Sequence, residues 1–354
     1  MSTTAKAPPR NPPFRAEHLG SLLRPEKLLE KRHAIQRKED GGEGLDVLTD
    51  ECVKEAVEMQ TRAGFRGISD GEYRRHMFWG DFWPSLNGMK EIYGPDPSIF
   101  RDYVPDIAAF LEDDKVPGES IICVGKISHP GKKYFADVAK AYRTELQILY
   151  NAGVRNVQVD GPNLAYFCSE KMLEGWKKDP ANTRTTDKLF DAYIAFYNDC
   201  FKRPVDMHLG VHLCRGNFVG SRHFSEGGYD RIAVKLFNEL NVSTYYLEYD
   251  TARAGGFEPL KSLPKDKNVV LGIITSKFPE LEDKEASKER IYKAADFISA
   301  GSGSSREEAL KQLGVSPQCG FASHEDGNLL GYEDMVKKLK LVRNIADEIW
   351  PGEP

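Results

Sequence analysis

The stretch Val205-Asp-Met-His-Leu-Gly-Val-His-Leu-Cys214 decides the fold. An apolar run this short, closed by a polar loop, reads as a buried strand rather than as a helix. Beyond it, Tyr229 to Leu240 carries apolar residues three and four apart, the spacing of a helix with one buried face. A second apolar run, Thr244 to Tyr249, follows at once. Strand, helix, strand in that order is the unit of a parallel β/α sheet.

The same alternation extends in both directions. Further strand candidates are the run leading to Gly20, Arg66 to Asp70, Ile121 to Lys126, Asn156 to Asp160, Val269 to Ile274, and Val315 to Gly320. Helical spacing marks Leu45 to Ala63, Phe135 to Ala152, Thr186 to Phe201, Asp283 to Ala300 and Tyr332 to Trp350. Thr61-Arg-Ala-Gly64 and Asn151-Ala-Gly153 place glycine where a helix must stop. About eight strand runs predict an α/β fold of the closed (β/α)8 TIM-barrel type. Residues 14–354 then form a single barrel domain, preceded by a flexible arm over 1–13. Between the second and third runs, residues 73–118 are rich in aromatic residues, Pro and Gly without clear periodicity. They are expected to form a lid-like insertion, with Phe78, Trp79, Phe82 and Trp83 either covering a site or packing the excursion down.

Composition excludes several functions. With 49 basic against 54 acidic side chains the formal charge is -5, which lacks the basic surface that a phosphate backbone requires. No apolar run reaches the roughly 18 residues of a membrane span, nor does the N-terminus resemble a secretory signal, so a cytoplasmic protein is expected. The six cysteines are too scattered for a small disulfide scaffold, which leaves them as thiols or metal ligands.

In a β/α barrel the polar residues at the C-terminal strand ends line the functional face. That filter selects His18 and Ser21, Asp70 and Glu72, Lys126 and His129, Asp160, His212 and Cys214, Glu248 and Asp250, Thr275 and Ser276, and Cys319. In extended chain His212 and Cys214 point to the same side and are able to face one ion. Alone, a His-x-Cys pair is more often a packed cysteine beside a satisfied histidine. Cys319 strengthens the metal reading, because Pro317-Gln-Cys-Gly320 sets a thiol in a loop at a strand end. Glu248 adds a carboxylate that is costly so near a buried strand unless it is paired or bound to metal. Cys52 and Cys200 fall in helices, Cys123 lies in a strand run, and His208 reads as a satisfied core histidine.

His212-Leu-Cys214, Leu247-Glu248 and Pro317-Gln-Cys319-Gly320, with Val157-Gln-Val-Asp-Gly-Pro162, resemble the catalytic half of cobalamin-independent methionine synthase and its single-barrel relatives, over about Phe14 to Trp350. The resemblance implies a β/α barrel whose zinc ion (Zn2+) is held by His212, Cys214, Cys319 and an exchangeable Glu248. It also implies that an amino thiol such as homocysteine is bound by Ser21, Glu72 and Asp160, with His18 nearby. The expected activity is S-methylation of that thiol, activated as a zinc thiolate, as in a 5-methyltetrahydropteroyltriglutamate–homocysteine methyltransferase. A free thiol is only roughly 3% ionised at pH 7, so coordination supplies the nucleophile. The partners are then two small molecules, a thiol and an alkyl donor. No catalytic group beyond the zinc ligands is assigned.

The donor side departs from the family pattern. The stretch Gly272-Ile-Ile-Thr-Ser-Lys277 lacks the histidine, and Gly125-Lys-Ile-Ser-His-Pro130 the tryptophan, that the folate-using members carry there. Other zinc-dependent thiol alkylations therefore stand beside folate-dependent methylation, including epoxide opening as in the epoxyalkane:coenzyme M transferases. A barrel without turnover is the third alternative.

Overall fold

The computed structural model describes residues 14–80, 82–112, 118–124, 132–218 and 220–354. The expected arm over 1–13, and the candidates Lys126 and His129, lie outside the described residues. Two strands, β1 (Met89–Tyr93) and β2 (Glu119–Cys123), pair antiparallel. Five more form a parallel sheet in sequence order: β3 (Asn156–Asp160), β4 (His208–Leu213), β5 (Thr244–Glu248), β6 (Asn268–Ile274) and β7 (Leu313–Pro317). Every residue of β4 to β7 is buried, as expected for parallel strands covered on both faces. Truncating one of their large apolar side chains, such as Leu247 or Ile273, should cost about 2–5 kcal/mol.

The sequence periodicity locates the helices closely. They run Leu45–Arg62, Lys132–Asn151, Thr186–Cys200, Asp230–Glu239, Lys284–Ser302 and Tyr332–Ile349. Gly64 and Gly153 adopt left-handed backbone at the two expected helix ends, with φ of 87° and 99°. Among the described residues no helix is long and apolar enough to cross a membrane.

The expected strand set needs three corrections. The run leading to Gly20 contributes one parallel bridge, Ala16 to Val315, framed by hydrogen bonds from Glu17 N–H to the Val315 carbonyl and from Val315 N–H to the Arg15 carbonyl. It extends the sheet past β7 without forming a full strand. Arg66 to Asp70 is not a strand, because Ile68 is its lone apolar residue and Ser69 and Asp70 turn their oxygens onto the Gly71 and Glu72 N–H groups. Ile121 to Lys126 supplies β2, whose partner among the described residues is β1 from the insertion rather than β3. The observed architecture is thus α/β with a five-stranded parallel sheet. Val205, expected to open the fifth run, is fully exposed, and β4 begins at His208.

The insertion has structure that its lack of periodicity concealed. Besides β1 it holds the helix Pro105–Leu111, with proline at its first turn, and short turns at Phe82–Ser85 and Pro97–Ile99. A bridge between Met77 and His324 fastens its start to the loop after β7.

Candidate metal centre

Parallel register aligns the strand ends that carry the candidate ligands. Asp160 pairs with His212, His212 with Tyr246, and Glu248 with Gly272. His212 thus projects from the end of β4, Cys214 follows two residues later, Glu248 ends β5, and Cys319 lies just past β7. The four ligand atoms fall within 4.8 Å of one another. The Cys214 and Cys319 sulfurs are 3.6 Å apart, and His212 Nε2 is 3.9 Å from Glu248 Oε1.

Each of these groups is held from behind. His212 Nδ1 lies 3.3 Å from the Tyr246 carbonyl, to which it donates, so Nε2 faces the cluster. Buried Nε2 makes no hydrogen bond of its own. Glu248, fully buried, accepts the Arg215 N–H on Oε1 at 2.6 Å and the Arg253 guanidinium on Oε2 at 3.1 Å. Arg253 also grips Asp250. Cys214 Sγ accepts the Gly216 N–H at 3.4 Å. Gly320 matters for close packing, since a Cβ there would stand 1.8 Å from Ser21 Oγ.

The electrostatics are those of a cluster that wants a cation. Burial lowers the proton affinity of His212, but the Cys319 sulfur, Asp160 and Glu248 outweigh it and hold the imidazole at about 9. The hydrogen bond with Cys214 and the imidazole push the Cys319 thiol well below its ordinary range, while Cys214 keeps the proton and rises. Burial lifts Glu248 to about 7, with Cys319 adding to the rise and His212 and Arg253 opposing it.

These residues fit a zinc ion. Bonds of about 2.3 Å to sulfur and 2.0–2.2 Å to nitrogen or oxygen set tetrahedral ligand separations of roughly 3.3–3.8 Å. The separations of 3.6 and 3.9 Å in the site need little adjustment. The partnerless Nε2, with its ring fixed through Nδ1, is the arrangement of a metal-ligating histidine.

Of the residues expected to bind substrate, three approach this centre. Ser21 is buried against Gly320, with the Ala322 N–H directed at its Oγ at 3.4 Å. Glu72 takes left-handed backbone (φ 60°), held by its N–H to Asp70 and by Arg24 on its carbonyl. Its Oε2 is buried without a hydrogen bond. Burial raises the Glu72 carboxyl to about 8, with Arg75 opposing and the neighbouring Asp160 adding to the rise. The surroundings lift Asp160 to about 6, burial first, with His212 pulling it back. Asp160 opens onto a cavity, so that rise is full only while the cavity is dry. His18 does not join them: Nδ1 accepts the Gly20 N–H, Nε2 faces the Gly67 carbonyl, and the ring packs edge-on against Phe65. It shapes the turn that presents Ser21. Ser276 bonds the Gly320 carbonyl, Thr275 accepts the Lys277 N–H, and His208 is satisfied by Thr244.

Sequence reasoning missed the second layer. Arg215 is wholly buried, stacked on Tyr229 and bonded to its hydroxyl. Lys277, also buried, donates to the Gly216 and Arg222 carbonyls and to Asn217. An arginine right after the candidate ligand Cys214, and another three residues past Asp250, were the available signals.

Cys214, Asp160 and Asn217 open onto a cavity of about 700 Å3. The insertion supplies one wall, through Phe78, Trp79 and Trp83, so these aromatic residues line the space beside the cluster rather than serving as packing alone.

Similarity to known proteins agrees with this architecture. Residues 119–348 match the family described as "Cobalamin-independent synthase, Catalytic domain". YxjG of Bacillus subtilis, a protein described as uncharacterized, is 35% identical over 96% of both chains. A methionine synthase of Pyrococcus horikoshii is 22% identical over 94% of this chain and 92% of its own. The crystal structure of a putative vitamin-B12 independent methionine synthase from Listeria monocytogenes superposes with a TM-score of 0.66 at 27% identity, covering 95% of this chain and 98% of that one. With that match over most of its length, and with the strand ends arranged as described, the chain belongs to the family of cobalamin-independent methionine synthase catalytic domains.

Proposed function

We propose that this protein is a zinc-dependent S-methyltransferase whose acceptor is homocysteine or a related amino thiol. The observation that carries the proposal is the convergence of His212 Nε2, the Cys214 and Cys319 sulfurs and a Glu248 oxygen from three separate strand ends, with Nε2 left unpartnered. A zinc ion held by these four side chains would acidify an incoming thiol and supply it as thiolate at neutral pH.

The chain's own residues do the rest. Glu72 and Asp160 form a carboxylate pair suited to an ammonium group, which would relieve their mutual repulsion and the burial of Glu72. Ser21 Oγ and the Ala322 N–H stand beside Gly320, where they favour a substrate carboxylate. Arg253 is already on Glu248 Oε2 and would receive the carboxylate's full charge if a thiol took its place. Much of the rate would come from aligning the sulfur with the carbon it attacks. In this reading residues 14–354 form one domain that closes as an eight-stranded β/α barrel, with 73–118 as the cover of the cavity.

Zinc-loaded protein is incubated with homocysteine and, separately, methyltetrahydrofolate, methylcobalamin and a sulfonium donor. Methionine is the expected product. No methionine from any donor rejects the proposal.

A further inference from the structure

Resting on the methyltransferase reading, we infer that the cavity beside Cys214 is a cation-selective aromatic box, and that the methyl donor is a ring-bearing onium compound with its methyl group on a positively charged sulfur or nitrogen. The walls carry the argument. Trp79, Trp83, Phe110, Tyr142, Tyr197 and Phe218 line the space, and such ring faces attract a positive charge. Among the described lining residues there is no lysine or arginine, and the carboxylates are Asp106 and Asp160. Among the described residues, Arg75, Arg222 and Lys277 direct donors to the backbone carbonyls of Phe78, Ala109 and Gly216, and Arg222 also lies over the outer side of the box at the Phe110 ring, 5.7 Å from its centroid. A space of about 700 Å3 is too large for a simple tetraalkyl cation and suits a ligand that carries rings.

Asp106 supports the same charge. It accepts the Ile107 N–H and the Tyr166 hydroxyl, and burial raises its carboxyl, the state of an acid that faces the cavity with no cation beside it. Among the described lining residues a polyanionic donor would meet two carboxylates and no lysine or arginine.

The chemistry balances without another reactant. The acceptor thiolate attacks the methyl carbon, an S–C bond forms, and the bond from that carbon to the onium atom breaks. The electron pair stays on the donor heteroatom, which leaves as a neutral sulfide or amine and needs no proton. Opposite charges are cancelled in the process, which a cavity of low polarity favours over water.

Binding is tested on the metal-free protein by quenching of Trp79 and Trp83 fluorescence, with Trp79→Phe and Trp83→Phe assigning the signal. The probes are phenyltrimethylammonium, its neutral isostere tert-butylbenzene, and benzoate. The cation is expected to bind at least tenfold more tightly than the isostere, benzoate weakest, and Asp106→Asn should cut that preference severalfold. Equal binding of cation and isostere, or preferred binding of benzoate, overturns the inference. With zinc and homocysteine, dimethylphenylsulfonium should yield methionine and thioanisole. Cation binding with no methionine from any donor would refute the methyltransferase reading, and with it the donor assignment, while leaving the box. Methionine formed solely from a glutamate-tailed methylpteridine, without cation binding, would refute the box alone.

Discussion

Replacing Glu72 by glutamine should stabilise the protein at alkaline pH while weakening its hold on the thiol substrate. The Glu72 carboxyl is raised from an ordinary 4.5 to about 8, chiefly by burial, and its Oε2 has no hydrogen bond. An acid raised by folding carries no penalty below its ordinary value, a growing one between the two values, and the full one above the folded value. At 1.36 kcal/mol per unit the ceiling is about 5 kcal/mol. Arg75, Arg24 and cavity water temper the ionised form, and the new amide must find its own partners, so a gain of about 2 kcal/mol at pH 8.5 is the expected outcome. At pH 5 the difference should fall within about 1 kcal/mol of zero. Urea unfolding of metal-free wild type and Glu72→Gln at both pH values reads this directly. KM for homocysteine should rise at least tenfold, because a charge-assisted bond to the ammonium is lost. A variant no more stable at pH 8.5 than at pH 5, relative to wild type, would refute the reasoning.

Zinc should bind at about one ion per chain, and Cys214→Ser or Cys319→Ser should abolish it, as metal analysis of dialysed protein would show. Binding at pH 7 should release about two and a half protons, one from His212, one from Cys214 and about half of one from Glu248, measurable by calorimetry in buffers of different ionisation enthalpy. Arg253→Gln leaves buried Glu248 and Asp250 without their guanidinium and should cost about 3 kcal/mol in urea unfolding of metal-free protein at pH 8.5. The loss should shrink at pH 5.5, where Glu248, raised to about 7, is already protonated; equal losses would show that Arg253 does not carry its charge. Gly320→Ala drives a methyl group into Ser21 Oγ and should raise KM for the thiol, and unchanged kinetics would detach Ser21 from the site.

The helices and β4 to β7 were legible because burial imposes a period, and apolar residues record it. Arg66 to Asp70 and the insertion were not, because local hydrogen bonds from Ser69 and Asp70 and aromatic contacts among Phe82, Trp83 and Tyr142 leave no periodic trace. The grouping of His212, Cys214, Glu248 and Cys319 could be read because strand ends in a parallel sheet converge and these residue types are scarce. His18 shows the limit of that filter: its position at a strand end was right for a site, but both ring nitrogens serve the backbone. Arg215 and Arg253 escaped notice because what they do depends on which carboxylate the fold sets beside them.

The 3.6 Å between the Cys214 and Cys319 sulfurs also bears on the redox chemistry of the pair. An oxidant that reached the two sulfurs would have to draw them together to about 2.05 Å to link them, and the neighbouring Cys214 and His212 favour the thiolate of Cys319 that would attack. If the pair holds zinc as proposed, occupancy would be a form of chemical shelter, and metal starvation under oxidative stress would inactivate the protein by a route that a reductant reverses.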